Sequence, residues 1–318
     1  MSAPGGIDPR QLGLICNHSL RHSMRSGSGL VFVLLALFFG LTVAHLVISP
    51  VEALSTQQVL GPRGQAILPS GSAADIERQI VGFARPVVDW LLAPPESDDP
   101  AAQREAEVKT ERWVDFVLDE RPALLSAILF IMVFGMPLLI SFGAFNQTSG
   151  DIGNKGLRYQ LLRTDRANIY YGRLLATALL NVAVQALVVA TVALYLGLKI
   201  QIYDGMAIAG WSLQGFIALV ILSLPYIAVC AWISAGNDSP MVSLVLCKLV
   251  IGGVLLLAVV GQIFWEPMYF VNYLLPWATQ NHLLAPDTLT VLLTAAGCLG
   301  YTAVYAWLGA RKFQTRDL

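Results

Sequence analysis

The sequence predicts an all-α polytopic membrane protein with six transmembrane helices, cytoplasmic N- and C-termini and a large helical external loop between the first two helices. Of the 318 residues, 56% are hydrophobic and only 13% are charged, whereas about 25% of the residues in soluble domains are charged. Apolar runs recur six times along the chain. Each run is long enough to cross the roughly 30 Å hydrocarbon core of a bilayer.

The predicted elements follow one another in a regular order. An amphipathic arm, residues 1–28, precedes the first span and carries Arg10, Arg21 and Arg25. Because short segments rich in lysine and arginine stay on the cytoplasmic side of a membrane, this arm is expected in the cytoplasm. The six spans are predicted at residues 29–49, 123–145, 174–197, 211–235, 241–264 and 289–309.

A basic segment, residues 146–173, sets the orientation of the bundle. It contains only two acidic residues, Asp151 and Asp165, against five basic ones, namely Lys155, Arg158, Arg163, Arg166 and Arg173. The positive-inside rule therefore places it in the cytoplasm, together with the basic tail, residues 310–318. Six spans agree with this assignment, because an even number of crossings leaves both termini on one side.

The two longest outer connections have different patterns. Residues 50–122 form an acidic external loop with two amphipathic helices, about 73–92 and 101–118, separated by the breaker APPESDDP. This loop is either a small external cap or surface for an extracytoplasmic partner, or a pair of helices that lie on the bilayer or on each other without a separate function. The second connection, 265–288, contains the apolar stretch MYFVNYLL, which ends before Pro276.

Several function classes lack support in the sequence. None of the four cysteines lies in an external loop, and no CxxC, HExxH or paired-histidine pattern predicts a metal site. The four histidines do not converge with one acid–base partner, so no catalytic residue is expected. The stretch Gly150–Gly156 lacks the Gly-Lys-Ser/Thr ending of a phosphate loop, and ATP binding by this chain is not expected. No nucleic-acid partner is expected either.

Three polar residues stand out inside the spans. Asn181 and Gln185 lie four residues apart on one face of the third span, where they line a translocation path or hydrogen-bond a neighbouring helix. Lys248 lies about 10 Å from the inner start of the fifth span at 1.5 Å per residue. It either reaches the cytoplasmic headgroups or contacts an anionic substrate or lipid.

The stretch from Phe145 to Leu175 resembles the coupling region of the permease subunits of ABC transporters of the type 2 export class. In that family a glycine is followed by a hydrophobic pair, a turn, an arginine and a Gly-basic-Leu-Leu sequence that opens the next span. The matching residues here are Gly156, Leu161-Leu162, Arg166 and Gly172-Arg173-Leu174-Leu175. The tail ARKFQTRDL, Ala310 to Leu318, also resembles the ending of that family.

The resemblance implies a subunit of an ATP-driven exporter in the bacterial inner membrane. It implies a cytoplasmic ABC ATPase dimer, which would bind ATP and Mg, and a second permease copy or homologue. It also implies a re-entrant helical hairpin within residues 265–288. The ATPase-coupling residues would be the apolar Leu157, Leu161 and Leu162 with the basic Arg158, Arg163 and Arg166, together with Gly156 and Asp165.

Two alternatives remain open from the residues. A basic amphipathic segment at an inner membrane surface also binds anionic membrane lipids. The chain as a whole also fits a non-transporting scaffold or assembly factor whose external loop docks a partner. Within the transport reading, the apolar character of the spans favours an amphipathic or lipid-linked cargo.

Overall fold

The computed structural model describes residues 7–25, 27–57, 81–82, 85–86, 88, 92, 100–200, 203–264 and 266–316. These residues form helices and connecting turns, with no strand among them. Six of the helices are long and apolar enough to cross a membrane, which confirms the predicted number of candidate spans. The first predicted helix of the external loop, 73–92, lies mostly outside the described residues.

The α-helices of the described chain are numbered here in order. Helix α1 (Pro9–Arg25) precedes the first long helix, and α3 (Pro100–Leu118) lies between the first two long helices. Two short helices, α5 (Ser149–Gly153) and α6 (Leu157–Leu161), lie in the basic segment. The six long helices are α2 (Ser28–Gln57), α4 (Ala123–Ala144), α7 (Arg166–Lys199), α8 (Gly205–Ala235), α9 (Pro240–Phe264) and α10 (Thr288–Thr315).

Most of these helices extend beyond the predicted spans. Helix α7 begins at Arg166 rather than at residue 174, and α2 continues to Gln57 through Pro50. The predictions followed apolar runs, whereas backbone hydrogen bonding continues into the polar ends of a helix. The arm and the first span remain separate helices because Gly27, at φ +82°, adopts a left-handed conformation that breaks the helix between them.

Helix α8 lies at the centre of the bundle. It packs against α4, α7 and α10, while α2 packs against α4 and α7, and α9 covers part of α4 and α8. A small residue permits one of these close approaches, because a Cβ atom on Gly215 would lie 2.6 Å from the Leu129 side chain of α4. Small residues at such contacts are common where helices associate within a membrane.

Residues 266–284, which we call the hairpin, turn back from the end of α9 into the bundle. They form three 3-10 helices, Glu266–Tyr273, Pro276–Ala278 and Gln280–Leu284. At the tip the Tyr305 hydroxyl donates to the Leu274 carbonyl at 2.6 Å. Tyr305 lies about 25 Å along α10 from its first residue at 1.5 Å per residue, so the tip reaches the middle of the bundle.

Helix α3 covers the end of the bundle at which α4, α8 and α10 begin. Its Val114, Val117 and Leu118 are buried in the main core, and its Trp113 indole donates to the Leu284 carbonyl of the hairpin at 3.3 Å. We call this the capped end. The other end, where the basic segment and both ends of the described chain meet, is called the basic end.

Candidate functional site

The basic segment is folded into two short helices that other parts of the chain hold in place. In the first turn of α5, the backbone N–H of Gly150 donates to Asn146 Oδ1 at 2.9 Å. The Ser234 hydroxyl oxygen, near the end of α8, accepts from the N–H groups of Thr148 and Ser149 at 3.0 and 3.1 Å. The first N–H groups of a helix have no partner within the helix, so α8 supplies part of the cap of α5.

One buried guanidinium joins both short helices to α7. Arg173 lies in the second turn of α7, and 7% of its side chain is exposed. It donates to the Gln147 carbonyl at 2.9 Å and to Gln160 Oε1 of α6 at 2.8 Å, and it forms an ion pair with Asp151 of α5. We call these contacts the Arg173 network. A buried cation without partners is costly, so this network favours one fixed position of α5 and α6 on α7.

The inner face of α6 belongs to a small second core. Leu157 is buried there against Ile169, Tyr170 and Phe313, and Leu161 is partly buried beside them. The side chain of Leu157 is therefore directed into the protein and is not on the surface that a partner would meet. Through this core α6 contacts α7 and α10 with apolar side chains as well as through the Arg173 network.

Helix α6 and the residues that flank it expose apolar and basic side chains side by side. Tyr159 is 78% exposed and Leu162 is 83% exposed, and Lys155, Arg158 and Arg163 are also exposed. We call these five residues the docking patch. Exposed Asp165 follows them at the N-cap of α7. Aromatic and aliphatic anchors ringed by cations are suited to a protein surface with an apolar pocket and an acidic rim.

Arg166 has a structural position. Its guanidinium donates to the carbonyls of Gln314 and Arg316 at 2.8 and 2.6 Å, and it reaches Phe313 at 3.4 Å. It thus holds the end of α10, where helix carbonyls lack partners within the helix. Gly156 precedes α6 and is the N-cap of that helix.

Both terminal regions of the described chain contact the basic segment. On the N-terminal side, Gln11 accepts from the Thr164 hydroxyl at 2.6 Å and from the Asn168 amide at 3.3 Å. Cys16 of α1 is buried, and burial raises the pKa of its thiol. On the C-terminal side, the Arg316 carbonyl accepts from Arg166 of the basic segment at 2.6 Å. The Arg316 side chain donates to the Ala235 carbonyl at 2.9 Å and pairs with Asp238 in the turn between α8 and α9.

The polar residues singled out in the spans lie away from this patch. Asn181 is buried and donates to the Ser223 hydroxyl of α8 at 2.6 Å, and Gln185 is fully buried one turn further along α7. The bond from Asn181 to Ser223 joins α7 to the neighbouring helix α8. Lys248 donates to the Leu138 carbonyl of α4, and its ammonium lies 3.6 Å from the centre of the Phe142 ring.

The structure therefore divides the sequence-based site into two groups. Arg158, Leu162, Arg163 and Asp165 are exposed, whereas Leu157 is buried and Arg166 holds the tail. Tyr159 was not among the predicted residues, although it lies three residues before Leu162 and so on the same side of a helical turn. Among the described residues no group of three or more His, Cys, Asp or Glu side chains is arranged to hold a metal ion.

The sequence matches no protein-family model and no curated protein.

Proposed function

We propose that this chain is the transmembrane permease subunit of an ATP-driven ABC exporter in the bacterial inner membrane. A separate cytoplasmic ATPase dimer would bind ATP and Mg and would dock on the basic end. A second permease copy or a homologue would complete the transporter. The observation that carries this proposal is the docking patch, an exposed apolar and basic surface on a short helix that is tied to α7 through a buried arginine.

The contacts of the basic segment connect the docking patch to the long helices. A displacement of α6 acts on α7 through Gln160 and Arg173, and a displacement of α5 acts on α8 through Ser234. Arg166 extends the same connection to the end of α10. The partner would therefore act on α7, α8 and α10 at once.

The charges of the patch indicate the chemistry of the partner surface. Lys155, Arg158 and Arg163 are exposed cations, and Asp165 is the exposed acid beside them. An acidic rim on the ATPase would raise the association rate and select the orientation of docking. Tyr159 and Leu162 would supply most of the binding energy, because exposed cations contribute little when salt screens them.

The test uses the tagged chain purified in mild detergent from its native membranes. We expect ATP hydrolysis to co-purify with the wild-type chain and to be lost with Leu162→Asp, because a carboxylate in an apolar pocket is strongly unfavourable. The matched control is Val108→Asp on α3, which places the same charge at an exposed apolar position remote from the patch.

Two results would overturn the proposal. One is a wild-type preparation that carries no ATPase, which would favour the scaffold alternative. The other is full ATP hydrolysis with Leu162→Asp. If the patch bound only anionic lipid, Arg158→Gln with Arg163→Gln would weaken binding to anionic vesicles and no ATPase would co-purify with any variant.

A further inference from the structure

A cavity of about 220 Å³ lies between the first half of α8 and the start of α10. Its long wall is one face of α8, where lining residues recur at helical spacing from Gly210 to Ile221. Leu283 of the hairpin and Val291 of α10 form the remaining wall. We call this cavity the α8 groove. Gly210 leaves it open, because a Cβ atom built there meets no atom within 4 Å.

The lining of the α8 groove selects an apolar occupant. Gln214 is its one polar lining residue among the described part of the chain, and the other lining residues are aliphatic or glycine. A bound water needs two to four polar partners, which this lining does not provide. Apolar cavities of roughly 150 Å³ bind benzene, so the α8 groove has room for a larger stretch of hydrocarbon.

The shape and position of the groove indicate a chain rather than a compact molecule. Gly210 and Ile221 are separated by about 16 Å along α8, close to half the roughly 30 Å thickness of the hydrocarbon core. The rim residues Leu213 and Ile217 are 59% and 49% exposed. The groove therefore opens sideways on the outer surface of an apolar span, where lipid is the surrounding medium.

We infer that the α8 groove binds one acyl chain of a membrane lipid, which enters laterally from the bilayer. Helical side chains lean toward the N-terminus of their helix, so the Gln214 amide lies toward the capped end of the groove. There it can donate to the ester carbonyl of a lipid. Because Leu283 forms part of the wall, a bound chain would also hold the hairpin against α8.

The groove can be filled without disturbing the fold. Gly210→Leu places an isobutyl group in the open space and replaces glycine by a better helix former, so the helix should be retained. Gly253→Leu in α9 is the matched control, because a Cβ atom there also meets no atom within 4 Å and Gly253 does not line the groove. No residue of the docking patch lines the α8 groove. These variants are studied without any ATPase, so the result does not depend on the proposed function.

The experiment reconstitutes each variant into phosphatidylcholine vesicles containing a photoactivatable phosphatidylcholine with the reactive group on its acyl chain. We expect crosslinks at Leu283, the wall residue that is buried from the surrounding lipid, in the wild-type chain and in Gly253→Leu, and their loss in Gly210→Leu. Crosslinks to Phe38 of α2, an exposed lipid-facing position, should be the same in all three and serve as the internal reference.

A second arm separates the two sources of an acyl chain. With Gln214→Leu, labelling of the groove by the phospholipid should fall, while labelling by a photoactivatable diether phosphatidylcholine, which has no ester carbonyl, should not. A photoactivatable fatty acid, the other source of an acyl chain, is tested on the wild-type chain alongside the phospholipid. Equal groove labelling in wild-type chain and Gly210→Leu would overturn the inference. So would labelling by the fatty acid with none by the phospholipid, since the lipid ester would then have no role.

Discussion

Arg173 shows how much the role of one basic residue depends on its surroundings. The sequence contains five basic residues between 146 and 173, and by composition they are equivalent. In the structure Arg173 is buried in its network, Arg166 bonds to carbonyls at the end of α10, and Arg158 and Arg163 are exposed. Only the exposed ones are free to meet a partner surface.

The Arg173 network should make a measurable contribution to stability. Arg173→Met leaves the Asp151 carboxylate and the Gln147 carbonyl without this donor. Since 34% of the Asp151 side chain is exposed and water can solvate it, we expect a loss of about 2 kcal/mol, below the value for a fully buried pair. Thermal unfolding in detergent, followed by fluorescence-detected gel filtration, measures it.

The control for this prediction is Arg163→Met. It removes the same charge from the same segment at an exposed position, so its melting temperature should stay close to that of the wild-type chain. Equal melting temperatures for Arg173→Met and Arg163→Met would mean that the buried network adds nothing to stability.

The sequence alone could not show that Leu157 is buried and Leu162 is exposed. Leu157 begins α6 and Leu162 follows it, and this helix has only five residues. A periodic pattern needs a longer window to assign faces. Which leucine is buried is decided by Tyr170 and Phe313, which are near Leu157 only after α7 and α10 have packed.

At the scale of elements, Gly309 sets how closely α10 approaches α7 and α8. A Cβ atom at Gly309 would overlap the Tyr170 hydroxyl of α7 and would lie 3.0 Å from the Trp232 Cα atom of α8. Tyr170 cannot easily move aside, because it is buried and its ring packs against Tyr171 and Phe313. The glycine is therefore required by the helix contact itself.

Gly309→Ala should lower the melting temperature, although alanine is the better helix former by about 1 kcal/mol. Gly300→Ala on the same helix, where a Cβ atom meets nothing within 4 Å, should be neutral or stabilising. Adding Tyr170→Phe to Gly309→Ala removes the overlapping hydroxyl and should restore part of the loss. A Gly309→Ala chain as stable as Gly300→Ala would contradict the close packing assigned here.

The hairpin illustrates an element that composition alone could not specify. The resemblance implied a re-entrant helical hairpin, and the apolar stretch that ends before Pro276 fitted it. Pro267, Pro276 and Pro286 each lack a backbone donor, which disfavours continuous α-helix over residues 266–286. The carbonyls of Tyr273 and Leu274 instead accept from Tyr301 and Tyr305 on α10, a pairing between residues that are distant in sequence.

At the scale of the whole molecule, the basic end joins segments from the full length of the chain. Residues of α1, the basic segment, the turn between α8 and α9, and the end of α10 are hydrogen-bonded to one another. The six apolar spans could be predicted because each run is a local property of the sequence. This convergence could not, because its bonds join residues up to 160 positions apart, as between Asp8 and Asn168.

Arg316→Ala should loosen this end without unfolding the bundle. It removes the bond to the Ala235 carbonyl and the pairing with Asp238, while Arg311→Ala, at an exposed position of the same helix, removes neither. We expect faster amide hydrogen exchange at residues 157–168 and 235–240 in Arg316→Ala and unchanged exchange in Arg311→Ala. Unchanged exchange in both variants would show that the tail does not support the basic segment.

The contact between Trp113 and the hairpin has a thermodynamic consequence. The Trp113 indole donates to the Leu284 carbonyl, and the centre of its ring lies 5.2 Å from the centre of the His282 ring. The position of α3 is therefore energetically coupled to the position of the hairpin. Any molecule that binds α3 more tightly in one hairpin position shifts the hairpin toward that position, and the shift is reciprocal. A molecule that binds α3 from outside the bundle and an acyl chain held beside Leu283 would therefore each alter the affinity with which the other binds.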